Sequence, residues 1–277
     1  MTTAPRSRPP RPQTVLEVLE QRWLSPHLVR IRAGGPGFAA FKNNPFTDKY
    51  VKILFAKPEL GLTPPYDFVS LRSELPAEDL PVNRTYTVRE VNEEEGWISI
   101  DFVVHGEEGI AGRWAAQAQP GETLVFFGPG GAWAPNPEAD WYLLAGDESA
   151  LPAIAAALEV LPSGAIGDVL LEVHGPEDEL ALQAPAGVRI HWLHRGQAVP
   201  GTTDLLPRAI AALPWRGGRV EVFAHGERGC MKALRDLFLK EKGLERGQLS
   251  VSAYWAHGRN EDSFQAEKKE PIGQVLP

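Results

Sequence analysis

The sequence predicts an antiparallel β-barrel in the N-terminal half, followed by an open, mainly parallel α/β domain of the nucleotide-binding type. Between Thr14 and about Gly131, apolar residues mostly alternate with polar ones, as in strands that bury one face. Beyond residue 140, continuous apolar runs alternate with helical stretches, which is typical of a parallel sheet covered by helices. The stretch APNPEAD (134–140), with two prolines and three polar residues, separates the two patterns. We therefore expect domains at 13–135 and 140–277.

The first half contains six short strand patterns and one helix pattern. In WISIDFVVH, Ile98, Ile100, Phe102 and Val104 fall on one face, which predicts a strand that faces a core. Six such strands with one helix, at 110–118, favour a small barrel. The predicted strands are 14–24, 27–33, 49–56, 84–91, 97–105 and 122–128.

The second half alternates strands and helices. WYLLAG (141–146) is a continuous apolar run, as in strands buried on both faces. The next stretch favours a helix with Pro152 in its first turn, where proline is tolerated. The predicted strands are 141–146, 168–175, 188–194, 219–226 and 248–258, and the predicted helices are 149–161, 203–213 (broken or late-starting), 230–243 and 260–270.

Composition excludes two function classes. A formal net charge of −8 argues against nucleic-acid binding, which requires a basic footprint. No apolar run approaches the ~20 residues that span a bilayer, so we expect no membrane insertion.

Residues 1–12 are rich in proline and lack an apolar segment, so they are predicted to be a disordered lead-in and not a secretory signal. Since Cys230 is the single cysteine, no intrachain disulfide can form, and we expect a cytoplasmic protein.

The histidines do not suggest a metal site. All seven are scattered, and HWLH (191–194) holds the one close pair. Residues three apart in a strand point to opposite faces. We therefore predict no bound metal.

Four motifs, taken together and in order, resemble the siderophore-interacting proteins, a branch of the ferredoxin-reductase superfamily that binds FAD and reduces ferric siderophores. The resemblance extends from about Thr14 to Phe264. It implies an FAD-binding barrel and an NAD(P)H-binding-like second domain. The motifs are NRTYTVR (83–89), DFVVHG with the following GIAGRW (101–114), GDESALPAI (146–154) and SAYWAHGRNED (252–262).

The resemblance assigns the first motif to the flavin. Arg84 would offer its planar fork of donors to the FAD diphosphate. Tyr86 would stack on the isoalloxazine, and Thr87 would place a hydroxyl near flavin N5, through which hydride arrives. Thr85 belongs to the same predicted set. From the residues alone, the alternation also fits a half-exposed strand.

The second motif implies the other half of the phosphate site. Ile110, Ala111 and Gly112 begin the predicted helix, whose free N–H groups favour an anion. Family members often have serine or threonine in place of Gly112, so one hydroxyl contact would be missing here. His105 either contacts the flavin nucleotide or lies on the rim, and Trp114 either walls the cofactor or belongs to the helix core. The strand residues Asp101, Phe102 and Val103 complete this predicted set.

GDESALPAI lies at the end of the first strand of the second domain, where open sheets bind ligands. It is not a G-x-G-x-x-G loop, and the pair Asp147 and Glu148 would repel a pyrophosphate. The resemblance therefore implies that Asp147, Glu148 and Ser149 face FAD or the nicotinamide rim.

Two later stretches are further candidates. HGERGCMK (225–232) is similar to the corner where related reductases receive nicotinamide, although helix capping by Gly229 and Cys230 is favoured. Tyr254 and Trp255 end the last strand, where they would either cover the isoalloxazine or dock the last helix.

The resemblance also implies where a substrate anion would bind. Lys52, Arg113 and Arg259 match positions where basic residues surround the substrate pocket in the family, although each also fits a solvated surface charge. Family members frequently have arginines in place of Ala256 and His257, so the pocket of this chain would be less basic.

The function implied is FAD-dependent reduction of ferric siderophores in the cytoplasm. Electrons would come from NADH, NADPH or a small redox protein such as ferredoxin. Two alternatives remain at this point: a general flavin reductase with another electron acceptor, and a carrier that binds flavin or siderophore without turnover.

Overall fold

The computed structural model describes residues 11–105 and 109–276. The lead-in predicted at 1–12 lies outside the described residues, apart from Arg11 and Pro12. Within these ranges the chain forms a closed antiparallel barrel and a five-stranded sheet. The predicted fold class is therefore confirmed.

The barrel contains the six strands that the alternating pattern predicted. Its strands are β1 (Thr14–Ser25), β2 (Leu28–Gly34), β3 (Tyr50–Phe55), β4 (Val82–Asn92), β5 (Trp97–Val103) and β6 (Thr123–Gly130). They close in the order β1-β2-β5-β4-β3-β6. Ile98, Ile100 and Phe102 on β5 are fully buried in the barrel core, whereas Val104 lies beyond the strand and is half-buried. Val104 still packs against the barrel core, so the predicted stripe is confirmed although the strand itself ends at Val103.

In the described part of the barrel half, two α-helices accompany the strands: α1 (Phe68–Glu74) and α2 (Ile110–Gln117). The sequence predicted α2, whose Ala111 and Ala115 pack into the barrel core. It did not predict α1, because this short helix buries no residue and so has no apolar period. Its start is set by the Asp67 carboxylate, which accepts hydrogen bonds from the backbone N–H groups of Val69 and Ser70.

A buried ion pair joins β2 to β5. Arg30 and Asp101 lie opposite each other in the antiparallel register. The guanidinium donates from Nε to Oδ1 at 2.6 Å and from Nη2 to Oδ2 at 2.7 Å, and Asp101 is 2% exposed. This bidentate geometry compensates the buried carboxylate.

The second half forms a parallel sheet with helices, as predicted. The elements are β7 (Trp141–Asp147), α3 (Leu151–Val160), β8 (Ile166–Val173), β9 (Gly187–His194), α4 (Leu205–Ala212), β10 (Val220–Glu227), α5 (Arg228–Asp236), β11 (Leu249–Trp255) and α6 (Glu261–Glu267). The strand order is β11-β10-β7-β8-β9, and every neighbouring pair is parallel. The late-starting alternative for α4 is the observed one: Pro207 is its third residue, where the N–H would have no intrahelical acceptor. Among the described residues, no helix combines the length and apolar character needed to cross a bilayer.

Hydrogen bonds and ion pairs join the barrel to the second sheet. The Ser25 hydroxyl donates to Asp178 Oδ1 at 2.6 Å, and His27 Nδ1 lies 2.8 Å from Asp178 Oδ2. Burial opposes ionisation of Asp178, but the hydrogen bonds from Ser25 and His27 outweigh burial and hold the pKa of Asp178 below its ordinary value. Arg89 on β4 and Glu159 on α3 form a second connection.

His27, His174 and Asp178 bring ligand atoms within 4.8 Å of one another. The sequence did not indicate this group, because its members come from two parts of the chain that meet only in the fold. It lies apart from HWLH, whose two histidines each contact a carboxylate. Since Asp178 already accepts hydrogen bonds from its neighbours, we assign the group to the joint between the barrel and the sheet.

We predict that Arg30→Ala lowers the free energy of unfolding by about 3–5 kcal/mol, because it leaves the buried Asp101 carboxylate unpaired. Arg22→Ala is the matched control, since Arg22 is the exposed cross-strand neighbour of Arg30 on β1 and should change stability by less than ~0.5 kcal/mol. Urea titrations of both variants measure the difference. Equal losses would contradict the role of the ion pair.

Candidate functional site

A cavity of about 750 Å³ lies between the barrel and the second sheet. One wall comes from β3, β4 and β5, and the other from the carboxyl ends of β7, β10 and β11 together with α6. Such strand ends are where open parallel sheets bind ligands. Thirteen predicted site residues line the cavity: Lys52, Arg84, Thr85, Tyr86, Thr87, Asp101, Val103, His105, Asp147, Glu148, Ser149, Tyr254 and Trp255.

β4 brings the residues of the RTYT stretch to the barrel wall. Arg84 Nη1 donates to the Asn83 carbonyl at 2.7 Å and lies 3.5 Å from Asp262 Oδ1 on α6. Because the Asp262 side chain is 72% exposed, this long contact only weakly engages the guanidinium. The Tyr86 ring packs on Phe102 with 4.4 Å between ring centroids, which fixes its orientation at the wall.

Thr87 and Tyr254 bring the two walls close together. The Thr87 side chain, on the barrel, lies beside Tyr254 on β11. Tyr254 also packs edge-on against His225, with 4.9 Å between ring centroids. His225 was missed by sequence reasoning; burial lowers its pKa to about 3, so the ring is neutral, and its Nε2 lies 2.9 Å from Ser250 Oγ. The available signal was the position of this histidine at the carboxyl end of the predicted strand RVEVFAHG (219–226), directly before its glycine.

The end of β5 contributes unequally to the cavity. Asp101 lines it, but both of its carboxylate oxygens are held by Arg30. Phe102 was predicted to contact the cofactor, but its side chain is in the barrel core and does not line the cavity. It packs on the Tyr86 ring from the core side. Val103 and the exposed His105 line the cavity, and both alternatives for His105, a flavin contact and a position on the rim, stay predictions.

The start of α2 packs tightly on β5 and is not part of the cavity lining. A Cβ at Gly112 would lie 2.8 Å from the Val103 carbonyl oxygen, so glycine allows the helix to approach the strand. Ala111 is in the barrel core, and Ile110 is 39% exposed. Trp114 packs on the rings of Phe102 and Phe55 and donates from Nε1 to Glu122, so the core alternative describes it. The diphosphate role of this helix start stays a prediction.

The Asp147 carboxylate connects three strand ends. Its Oδ1 accepts a hydrogen bond from the Ser149 backbone N–H at 3.0 Å. Its Oδ2 accepts from the Glu227 backbone N–H at 2.9 Å and from Trp255 Nε1 at 2.8 Å. The fit leaves no room for a side chain at Gly226, where a Cβ would lie 2.6 Å from Asp147 Oδ2. Asp147 therefore organises the wall that Trp255 and Ser149 present.

The Glu227 carboxylate likewise accepts hydrogen bonds from backbone N–H groups at the neighbouring corner, between β10 and α5. Its Oε2 accepts a hydrogen bond from the Cys230 backbone N–H at 2.9 Å and caps α5, and its Oε1 accepts from the His257 backbone N–H at 3.1 Å. A helix cap is present at this corner, but the N-cap is Glu227, and the predicted capping residues Gly229 and Cys230 lie within α5. Burial raises the pKa of the Cys230 thiol, which stays protonated.

Glu148 and Arg195 form a buried ion pair at the cavity. Their exposures are 5% and 8%. Burial and the neighbouring Asp147 raise the pKa of Glu148 to about 7, although Arg195 opposes this shift. Glu148 therefore exchanges its proton near neutral pH. Arg195 was missed because the pairing of β8 with β9, which places it, cannot be derived from sequence.

The cations at the cavity differ from the predicted three. Lys52 on β3 lines it, but Arg113 on α2 and Arg259 do not. Arg259 donates instead to Glu267 Oε1 at 2.6 Å. The structure therefore does not bring the predicted basic residues together. Lys268, just beyond α6, lines the cavity and was missed because its polar segment indicated only a solvated helix.

We predict that Glu148→Gln flattens the pH dependence of stability in the FAD-free protein. The raised pKa means that the folded state holds this proton more tightly, so stability is lost as pH rises from about 4.5 to about 7. The variant should gain about 1–3 kcal/mol relative to wild type between pH 5 and pH 8. Denaturant titrations across this range, with the exposed Glu94→Gln as control, measure the change. Parallel curves for Glu148→Gln and wild type would contradict it.

Family models match both parts of the chain. The model for the siderophore-interacting FAD-binding domain matches residues 17–133, and the model for siderophore-interacting protein matches residues 139–258. The ferric vibriobactin reductase ViuB of Vibrio cholerae is 34% identical over 270 residues, which cover 92% of this chain and 93% of the relative.

Solved structures give the same relationship. A siderophore utilization protein from T. fusca is 39% identical, with a TM-score of 0.79, and the match covers 92% of this chain and 96% of that one. The ferredoxin reductase in carbazole 1,9a-dioxygenase, at 15% identity, a TM-score of 0.61 and coverage of 90% and 70%, shares the fold. The chain therefore belongs to the siderophore-interacting protein family and has that family's FAD-binding domain.

Proposed function

We propose that this protein reduces ferric siderophores with FAD bound in the cavity, so that iron(II) is released in the cytoplasm. Electrons would come from NADH, NADPH or a small redox protein such as ferredoxin. The observation that carries the proposal is the cavity between barrel and sheet, which has Arg84 and Tyr86 on one wall and the cation Lys52 beside them. A relative named as a ferric vibriobactin reductase supports the substrate class.

The residues present fit FAD. The cavity volume of about 750 Å³ falls within the ~300–1,000 Å³ of ligand pockets. Arg84, whose one carboxylate contact is long and exposed, would bind the diphosphate through its fork of donors. Tyr86 and Trp255, from opposite walls, would enclose the isoalloxazine ring. Thr87 would lie near the ring, beside Tyr254 of the opposite wall.

The reaction asks little acid–base chemistry of the protein. Bound FAD supplies a centre that takes two electrons from a hydride and passes them on singly. Iron(III) held by hard oxygen ligands accepts one electron, and iron(II) is held less tightly by the same ligands. What remains for this chain is to orient the flavin, to leave one side of it accessible and to attract an anionic complex, which Lys52 at the cavity would do.

The choice of electron donor depends on charge at the second-domain wall. Asp147 and Glu227 use their carboxylates to bind backbone N–H groups at corners where open sheets often hold phosphates. Glu148 and Glu172 are also buried there, with Arg195 as the nearby cation. A nicotinamide dinucleotide would meet these carboxylates, which makes a redox protein a donor to be tested beside NADH and NADPH.

A general flavin reductase is the second candidate. It is favoured by the pocket edge, where Ala256 and His257 replace the basic residues frequent in the family and Arg259 is held by Glu267. A weakly basic edge discriminates less between electron acceptors. Turnover with other acceptors but not with ferric siderophores would favour this candidate.

We predict that Arg84→Ala weakens FAD binding about ten- to a hundredfold, because a charged hydrogen bond to phosphate contributes roughly 1.5–3 kcal/mol. Arg72→Ala, which removes an exposed arginine of α1, should leave FAD binding unchanged. Fluorescence titration of the FAD-free protein with FAD gives both dissociation constants. Unchanged affinity in Arg84→Ala would remove β4 from the flavin site.

We expect the photoreduced, FAD-loaded protein to be reoxidised under argon by a ferric siderophore, with iron(II) trapped by a colorimetric chelator. The flavin has to lose one electron per iron, so about two irons should be reduced for each fully reduced flavin. Absorbance of the flavin and of the chelate gives the ratio. Binding without reoxidation would identify a carrier and contradict the reductase proposal.

A further inference from the structure

Two histidines and an aspartate meet at the joint between the barrel and the second sheet. His27 lies in the turn between β1 and β2, and His174 directly follows β8. Asp178 ends the short 3-10 turn Pro176–Asp178 that comes next. The three side chains bring one ligand atom each within 4.8 Å of the other two. Two imidazoles and a carboxylate are a donor set typical of sites for divalent transition-metal ions.

The hydrogen bonds of the joint do not account for His174. Ser25 and His27 both contact the Asp178 carboxylate, and these contacts connect the barrel to the sheet. The His174 ring lies against the His27 ring, with 4.7 Å between the centroids and 39° between the planes. Two imidazoles beside one buried carboxylate are more than a hydrogen-bonded joint requires.

The distances fit a metal ion with little rearrangement. Metal–ligand bonds of about 2.0–2.2 Å place neighbouring donor atoms about 3.3 Å apart in a tetrahedral site. His27 Nδ1 and Asp178 Oδ2 are 2.8 Å apart, so a metal ion could replace the proton between them. The Asp178 side chain is 2% exposed, whereas those of His27 and His174 are 31% and 29% exposed and have room to rotate toward it.

Neighbouring polar groups already orient the three side chains. His174 Nδ1 lies 3.1 Å from Glu177 Oε1, which suits an imidazole that donates its Nδ1–H to a carboxylate and offers Nε2 to a metal. The Ser25 hydroxyl donates to Asp178 Oδ1 at 2.6 Å, which leaves Oδ2 for the metal. Such outer contacts fix the orientation of metal ligands and raise their basicity.

The group lies beside the proposed flavin cavity. The His27 carbonyl accepts a hydrogen bond from the Val104 N–H at 2.9 Å, and the next residue, His105, lines the cavity. His174 follows the carboxyl end of β8, at the same edge of the parallel sheet that forms the second wall of the cavity. An ion released from the cavity at this side would meet the two histidines.

We propose that His27, His174 and Asp178 form a binding site for one divalent transition-metal ion, which connects the barrel to the second sheet. The sequence predicted no metal here, because the three residues are distant along the chain. Zinc(II) from the surroundings is one source of the ion, held with water as a further ligand. Iron(II) released at the cavity is the other, since the same donors suit it. This second source, unlike the site itself, rests on the proposed ferric-siderophore reduction.

His194 provides a matched control, because it is an exposed histidine outside this group whose Nε2 lies 2.8 Å from Glu179 Oε1. The variants are His174→Gln, His27→Gln and His194→Gln, each as the full chain loaded with FAD and checked for flavin content and thermal unfolding. His174→Gln is the most informative, since it leaves the hydrogen bonds to Asp178 in place. Zinc(II) and cobalt(II) are titrated against a competing colorimetric chelator.

We expect wild type and His194→Gln to bind one zinc(II) or cobalt(II) ion per chain. His174→Gln and His27→Gln should bind it at least tenfold more weakly, since loss of even an outer contact of a metal ligand costs about 10–100-fold. Zinc(II) should raise the unfolding temperature of wild type more than that of His174→Gln, because the assembled site exists only in the folded state. Bound cobalt(II) should show the intense visible bands of a four- or five-coordinate site.

Equal zinc(II) and cobalt(II) affinities in wild type and His174→Gln would overturn the site, and so would an equal loss in His194→Gln. A second experiment identifies the source of the ion. Reduced protein is mixed under argon with one equivalent of a ferric siderophore and ultrafiltered. Retention of iron(II) by wild type but not by His174→Gln identifies iron(II), whereas passage of all the iron(II) through the filter assigns the site to zinc(II). If no ferric complex is reduced, the proposed function is wrong, while the zinc(II) titration still decides the site.

Discussion

Asp147 accepts hydrogen bonds from donors at three strand ends, and the inner wall of the cavity depends on these bonds. They set the corner after β7, bring the start of α5 against it and fix the Trp255 indole at the end of β11. The carboxylate is 8% exposed, so its hydrogen bonds compete little with water. Asp147 was predicted to face the cofactor, but its hydrogen bonds first fix the positions of the protein's own groups at this wall.

Negative and positive charges lie on different sides of the cavity. The chain is acidic overall, and a group of its buried carboxylates lies at the second-domain corners: Asp147, Glu148, Glu172 and Glu227. The cations available to a ligand come from the periphery: Arg84 and Lys52 from the barrel, and Lys268 from the segment after α6. An anionic ligand is therefore drawn to the open side of the cavity, away from the buried acids, although the whole molecule repels it.

Much of this architecture could be predicted because it depends on local periodicity. β5 alternates strictly, β7 is continuously apolar, and these patterns gave the barrel and the sheet. The α1 helix was missed because it buries nothing, and Arg195 and His225 because their positions depend on strand pairing and not on neighbours in sequence. Lys268 shows the limit most clearly. Its segment is mostly polar; helical periodicity places Lys268 on the same face as Phe264, but the packing of that face beside the cavity depends on tertiary contacts that the sequence does not reveal.

The buried acids also bear on the energy of an electron held in this cavity. Reduction adds negative charge to a flavin, and the Asp147 carboxylate, whose partners are neutral donors, would repel that charge through a poorly polarisable interior. A flavin bound beside Trp255 would consequently have a lower midpoint potential than one in a neutral pocket. Iron(III) in a tight oxygen-ligand complex is itself hard to reduce. The carboxylate that shapes the wall would thus also make the cofactor a stronger reductant.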